Sequence, residues 1–96
     1  MIIHVVTFTW RDDAPADIAE QVSAALATLP GQIPELRAYR FGPDLGLGGN
    51  TDYAVVADCD DVEGWRAYDQ HPEHVRIKTE LILPAASSRA AAQFTT

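Results

Sequence analysis

The chain has 96 residues, which is room for one hydrophobic core and not two, so a multidomain enzyme is excluded and a single domain over residues 1–96 is expected. A content of 47% hydrophobic and 22% charged residues is that of a folded protein, not a disordered one. Seven Lys and Arg against fourteen Asp and Glu leave a formal charge of −7, too little basic surface to grip a phosphate backbone or an anionic bilayer, so nucleic acid and membrane are excluded as partners.

Residues 1–10 are apolar but carry no positive leader, and Arg11 interrupts them. They are therefore no signal or spanning segment, and a cytoplasmic location is expected. They read instead as a strand: His4, Val6, Phe8 and Trp10 share one face, and Ile3, Val5 and Thr7 share the other. Arg11–Pro15 supplies a turn with an acidic cap and a proline suited to a first helical turn. Ile18, Val22, Ala25, Leu26 and Leu29 then recur at helical spacing until Pro30-Gly31. Leu36–Phe41 is a second strand. Residues 42–50 are glycine-rich and form a mobile loop with no nucleotide-binding fingerprint.

Tyr53, Val55, Ala57 and Cys59 alternate with polar or small residues in a third strand beside the first. Asp60 and Glu63 form an acidic capping pair for a second helix through Trp65 and Tyr68. His71-Pro72 breaks that helix, because the residue before a proline is pushed out of the α region. Pro72 opens a further helical stretch that Pro84 ends, and Ser88–Thr95 is a last strand, weak in propensity because of its alanines. The order β-α-β-β-α-β predicts an α+β fold, the ferredoxin-like plait. Cys59 is a lone thiol that can form no intrachain disulfide. A domain of this size buries only ~60–65% of its unfolded surface, which predicts a homodimer.

The chemistry-bearing residues cluster around the helix break. Tyr68, His71 and His74 flank it, and His4 opens the first strand. A neutral imidazole near its reference pKa of ~6.5 accepts a proton at neutral pH, and a tyrosyl hydroxyl can donate to a developing enolate oxygen. Set against this, His71 can simply cap a helix and Tyr68 can be core. His4, His71 and His74 also make a three-imidazole metal site conceivable, which ranks below the metal-free reading. Around them, Val6, Phe8, Val55, Ala57, Ile77 and Leu81 form an apolar stripe that is core or pocket wall, and Tyr53 adds a polar group that could orient a ligand.

Ile3-His4-Val5-Val6-Thr7-Phe8, Tyr53-Ala54-Val55-Val56 and Ala67-Tyr68-Asp69-Gln70-His71-Pro72-Glu73-His74 together resemble the stress-responsive α/β-barrel (Dabb) domain. The resemblance spans nearly the whole chain. It implies two copies pairing their four-stranded sheets into a dimeric α+β barrel. It also implies a site like that of a plant polyketide cyclase of the family, which works without metal or cofactor. In that reading Tyr68 and His74 are catalytic, while His4, Val6, Phe8, Tyr53, Val55, Ala57, His71, Ile77 and Leu81 contact a poly-β-ketone-like substrate. Alternatives are a small-molecule-binding or stress-associated module without turnover, and a cofactor-free monooxygenase, a chemistry that dimeric α+β barrels also host. Two departures stand out: Ala90-Ala91-Ala92 where the family has larger aliphatics, and Tyr53 where the cyclase has a histidine.

Overall fold

The computed structural model describes residues 1–96. The elements are β1 (Ile2–Trp10), α1 (Ile18–Leu26), β2 (Leu36–Pro43), β3 (Tyr53–Cys59), α2 (Val62–Asp69), α3 (Pro72–Ile77), a π-helical turn (Lys78–Ile82), α4 (Leu83–Ala85) and β4 (Ala86–Thr95). The four strands form one antiparallel sheet in the order β2-β3-β1-β4, the ferredoxin-like arrangement expected. No helix is long and apolar enough to cross a membrane.

Strand alternation sorts the sheet into two unlike faces. Val6, Phe8, Tyr53, Val55 and Ala57 are buried with Ile18, Val22 and Leu26 of α1, Tyr68 of α2, Ile77 of α3 and Ile82 of the π turn. All helices therefore lie on that face. The opposite face carries Val5, Thr7, Ala54, Val56, Ala90 and Ala92, aligned by the pairing of Val5 with Val56 and Ala92 and of Thr7 with Ala54 and Ala90, and no helix covers it. β4 is exposed along nearly its whole length, because the helical layer stops short of this edge strand.

Several boundaries differ from the sequence reading for local reasons. Pro15 does not open α1. Residues 11–17 form turns, and the Asp17 carboxylate accepts from the side chain of Gln21 at 2.8 Å instead of capping the helix. The far end of α1 tightens after Leu26, with Thr28 and Leu29 donating to the carbonyls three residues back, yet Leu29 and Ile33 beyond it are fully buried. The cap of α2 is Asp61, which accepts from the Gly64 N–H at 2.8 Å. Asp60, the residue expected there, pairs instead with Arg37 at 2.9 Å.

The glycine-rich loop is tied at both ends: Asp44 N–H donates to the Asp52 carbonyl, and the Asp52 carboxylate accepts from the Trp10 N–H at 2.7 Å. Gly46 and Gly49 there have φ of 76° and 60°, the left-handed region that favours glycine. The break at His71-Pro72 falls where expected, but Pro84 does not end the helical run. It sits in the short α4, reached through the π turn in which Leu83 N–H donates to the Lys78 carbonyl five residues back. Widening the turn delivers the chain to a proline that has no N–H with which to continue an ordinary ladder. β4 consequently starts at Ala86, two residues earlier than expected.

Candidate functional site

One row across the helix-covered face fixes the positions of His4 and Tyr39. Tyr39, Ala57, His4 and Gln93 stand side by side on β2, β3, β1 and β4. Ala57, the small member, is packed into the core, and the rings of His4 and Tyr39 on either side reach the space beneath the helix break. There the chain leaves α2 at Asp69 and re-enters helix at Pro72, which brings Tyr68 and His74 together: their ring centroids are 4.3 Å apart with planes inclined by 35°. The resulting cavity has a floor of His4, Val6, Phe8 and Val55, and walls of Leu26, Tyr39, Tyr68, Asp69, His74, Lys78, Ile82 and Arg89. Within a solvent-open envelope of about 420 Å³, the centre of a water molecule can move through about 40 Å³. That is room for one small polar head, with the rest of any ligand extending through the mouth.

The polar groups have assignable roles. Nδ1 of His74 lies 3.0 Å from the Asp69 carbonyl oxygen. A carbonyl can only accept, so Nδ1 carries the hydrogen and Nε2 of the neutral ring keeps its lone pair. Burial holds the His74 pKa below its ordinary value, and the positive charge of Lys78 adds to this, while Asp69 opposes it. His4 has the reverse tautomer: the Gln93 amide N–H donates to its Nδ1 at 2.9 Å, which leaves the proton on Nε2. Its pKa is also lowered, chiefly by burial, with Asp69 raising it and Arg89 and His74 lowering it. The hydroxyls of Tyr68 and Tyr39 are 2.8 Å apart. Burial pushes the Tyr39 phenol up to about 12 and raises that of Tyr68 as well, with the Tyr39 contact adding to it. Both remain O–H donors at neutral pH.

Of the residues singled out from the sequence, His4, Val6, Phe8, Val55, Tyr68 and His74 line this cavity. The other five lie outside its lining. Tyr53 is 1% exposed and turns its hydroxyl to Ser23 Oγ at 2.7 Å, under α1. Ala57 and Ile77 are packed into the core. His71 is the cap of α3, its Nδ1 accepting the Glu73 N–H at 3.2 Å. Leu81 faces a separate depression beside Arg11 and Pro15, because the π turn rotates it away from the stripe that regular helical spacing predicts. With His71 held at the cap, no group of three or more His, Cys, Asp or Glu is placed to hold a metal ion.

Tyr39, Asp69, Lys78, Arg89, Leu26 and Ile82 are lining residues that sequence reasoning missed. Lys78 had a signal, since it follows His74 by four residues and shares its helical face. Tyr39 had one in strand parity. Arg89 had none, because only the pairing of Phe8 with Arg89 brings it to this face.

The sequence profile of the stress responsive A/B barrel domain, Dabb, matches residues 2–96. Among solved structures, a dimeric ferredoxin-like protein of unknown function from Thermobifida fusca YX is 48% identical, with a TM-score of 0.91 over 99% of this chain and 90% of that one. A dimeric protein of unknown function and ferredoxin-like fold from Bacteroides fragilis NCTC 9343 is 25% identical, with a TM-score of 0.89 over 99% and 95% of the two chains. A hydroxynitrile lyase from Passiflora edulis is similar in fold, with a TM-score of 0.82 at 17% identity over 97% and 90%. No curated protein matches the chain.

Proposed function

The chain belongs to the stress responsive A/B barrel domain family, and we propose that it is a cofactor-independent enolising enzyme of the cyclase type, acting as a homodimer on a small poly-β-ketone-like molecule. The observation that carries this reading is the free Nε2 of a half-buried, uncharged His74 set against the Tyr68 ring. A base that is neutral and unencumbered at pH 7 stands next to a phenol that stays protonated.

In the proposed step Nε2 of His74 takes the proton from the carbon between two carbonyls. The C–H electron pair moves into the new C=C bond, and a carbonyl oxygen gains the negative charge. The Tyr68 O–H donates to that oxygen, and Tyr39 supports it by donating to the Tyr68 oxygen. Nε2–H of His4 offers a second donor. When the enolate carbon attacks a further carbonyl of the same molecule, a C–C bond closes the ring, and the imidazolium of His74 returns its proton to the new alkoxide. Neutral imidazole is then restored.

Dimerisation is supported by the uncovered apolar face of the sheet and by the dimeric state of the T. fusca and B. fragilis relatives. The same face holds Phe94, paired with Ile3 and 53% exposed. A second copy laid on it would finish a barrel with the helices outside.

The test is deuterium exchange at the methylene carbons of methyl 3,5-dioxohexanoate, measured over the buffer rate. The wild type should accelerate it. His74→Gln should lose ~10²–10⁴ of the protein-dependent rate with a melting transition close to that of the wild type, and Tyr68→Phe ~10²–10³ in a protein that stays folded but melts lower, having lost the hydrogen bond to Tyr39. Ligand binding without any acceleration would overturn the enzymatic reading and leave a small-molecule-binding module.

A further inference from the structure

We propose that the cavity selects substrates bearing a carboxylate: an enolisable carbonyl head enters between His74 and Tyr68, and an anionic tail is held at the mouth by Lys78 and Arg89. This rests on the enolising reading above and names its substrate class as β-keto acids.

The argument begins with a census of charge. The chain has seven basic residues, and five of them are in ion pairs: Arg11 with Asp13, Arg37 with Asp60, Arg40 with Asp58, Arg66 with Glu63, and Arg76 with Glu73 and Glu80. In a molecule with twice as many acids as bases, pairing is the expected fate of a cation. Lys78 and Arg89 alone are left out of these pairs, and both line the same cavity. They come from opposite sides of it, one from the π turn after α3 and the other from β4.

Against them the lining has a single acid, Asp69, and the two imidazoles are uncharged at neutral pH. The cavity wall is thus net positive by one charge in a chain of −7, a local reversal that draws anions to this one place. The charge of Lys78 is felt at His74 and that of Arg89 at His4, so both cations sit within electrostatic reach of the chemistry. Arg89 is the only exposed residue of the lining, which puts it at the mouth, where a planar guanidinium can meet a carboxylate with two parallel hydrogen bonds. The small interior agrees with this division: it admits a keto group, and the remainder of the ligand must lie along the opening.

The experiment compares 3,5-dioxohexanoate with its methyl ester, a pair differing in one charge, using the intact protein. Binding is read from shifts of the His4 and His74 ring resonances, and turnover from deuterium exchange. The acid should half-saturate at ~10-fold lower concentration than the ester, the effect of about one charge-assisted contact. This ratio should shrink as potassium chloride is raised and collapse towards one in Lys78→Gln and Arg89→Gln. Arg89→Lys should keep part of it, a rescue that separates charge from packing and covers the case in which a neutral variant folds poorly. Equal half-saturation by acid and ester with exchange of both would overturn the carboxylate preference and leave the enolising reading standing. Selective binding of the acid without exchange would do the opposite. A protein that neither binds nor exchanges either compound would remove both.

Discussion

The two faces of the sheet are made by alternate residues of the same strands, yet they are at different stages of completion. On one face Val6, Phe8, Tyr53, Val55 and Ala57 are closed over by helices, leaving a cavity beneath the broken helix where every polar group has an assignable partner or role. On the other, Val5, Ala54, Val56, Ala90 and Ala92 line up with no element above them. A side chain's parity along a strand therefore decides which task it serves: odd positions of β1 are available for assembly and even positions for chemistry. The two can be altered one at a time.

The largest expected effect comes from the open face. Val5→Asp would place a carboxylate between Val56 and Ala92, neither of them charged, and so, in a sheet-to-sheet dimer, an unpaired charge in the interface. Such burial commonly costs ~2–5 kcal/mol, a rise in the dimer dissociation constant of at least ~30-fold. Sedimentation at micromolar concentration should find a wild-type dimer of twice 10.5 kDa and a dissociated variant. A wild-type monomer, or a variant that still pairs as tightly, would break the assignment of the open face to assembly.

A smaller effect belongs to the covered face. His71→Ala removes the acceptor for the Glu73 N–H at the start of α3 and should lower stability by ~0.5–2 kcal/mol, as loss of a cap does. Because His71 helps to hold the His74 pKa down, its removal should let the acid limb of the exchange profile move slightly to higher pH, while the plateau rate stays as in the wild type, since His71 does not line the cavity. A lost plateau rate in a fully folded variant would show that His71 takes part directly.

The line between these faces was largely legible in the sequence. The alternation of Ile3, Val5 and Thr7 with His4, Val6 and Phe8 is a period that any strand must obey, and His71-Pro72 has a steric consequence that needs no tertiary information. The family resemblance rested on the same residues. What could not be read depends on partners distant in the chain. Asp60 and Asp61 are equivalent as caps until Arg37 claims one of them. Tyr53 and Tyr39 both look like polar groups on apolar strands, and only the position of α1, which offers Ser23 to Tyr53, separates a core tyrosine from one at the site. Leu81 obeys helical spacing with His74 and Ile77, but the π turn inserts an extra residue in the ladder and rotates it away. Arg89 reaches the cavity through a strand register with β1 that no local pattern announces.

The most direct test of the central claim, that His74 is a neutral base with a free Nε2, is an NMR titration of the imidazole nitrogens in the intact protein. The account predicts that at pH 7 His74 has its hydrogen on Nδ1 and His4 on Nε2, and that both rings gain their second proton below the ordinary value of about 6.5. Because the unprotonated ring is the base, the exchange rate should then be more than half developed at about pH 6.5 and fall as the pH drops through the lowered His74 pKa. A His74 that has its hydrogen on Nε2, or that protonates at or above the ordinary value, would contradict the account.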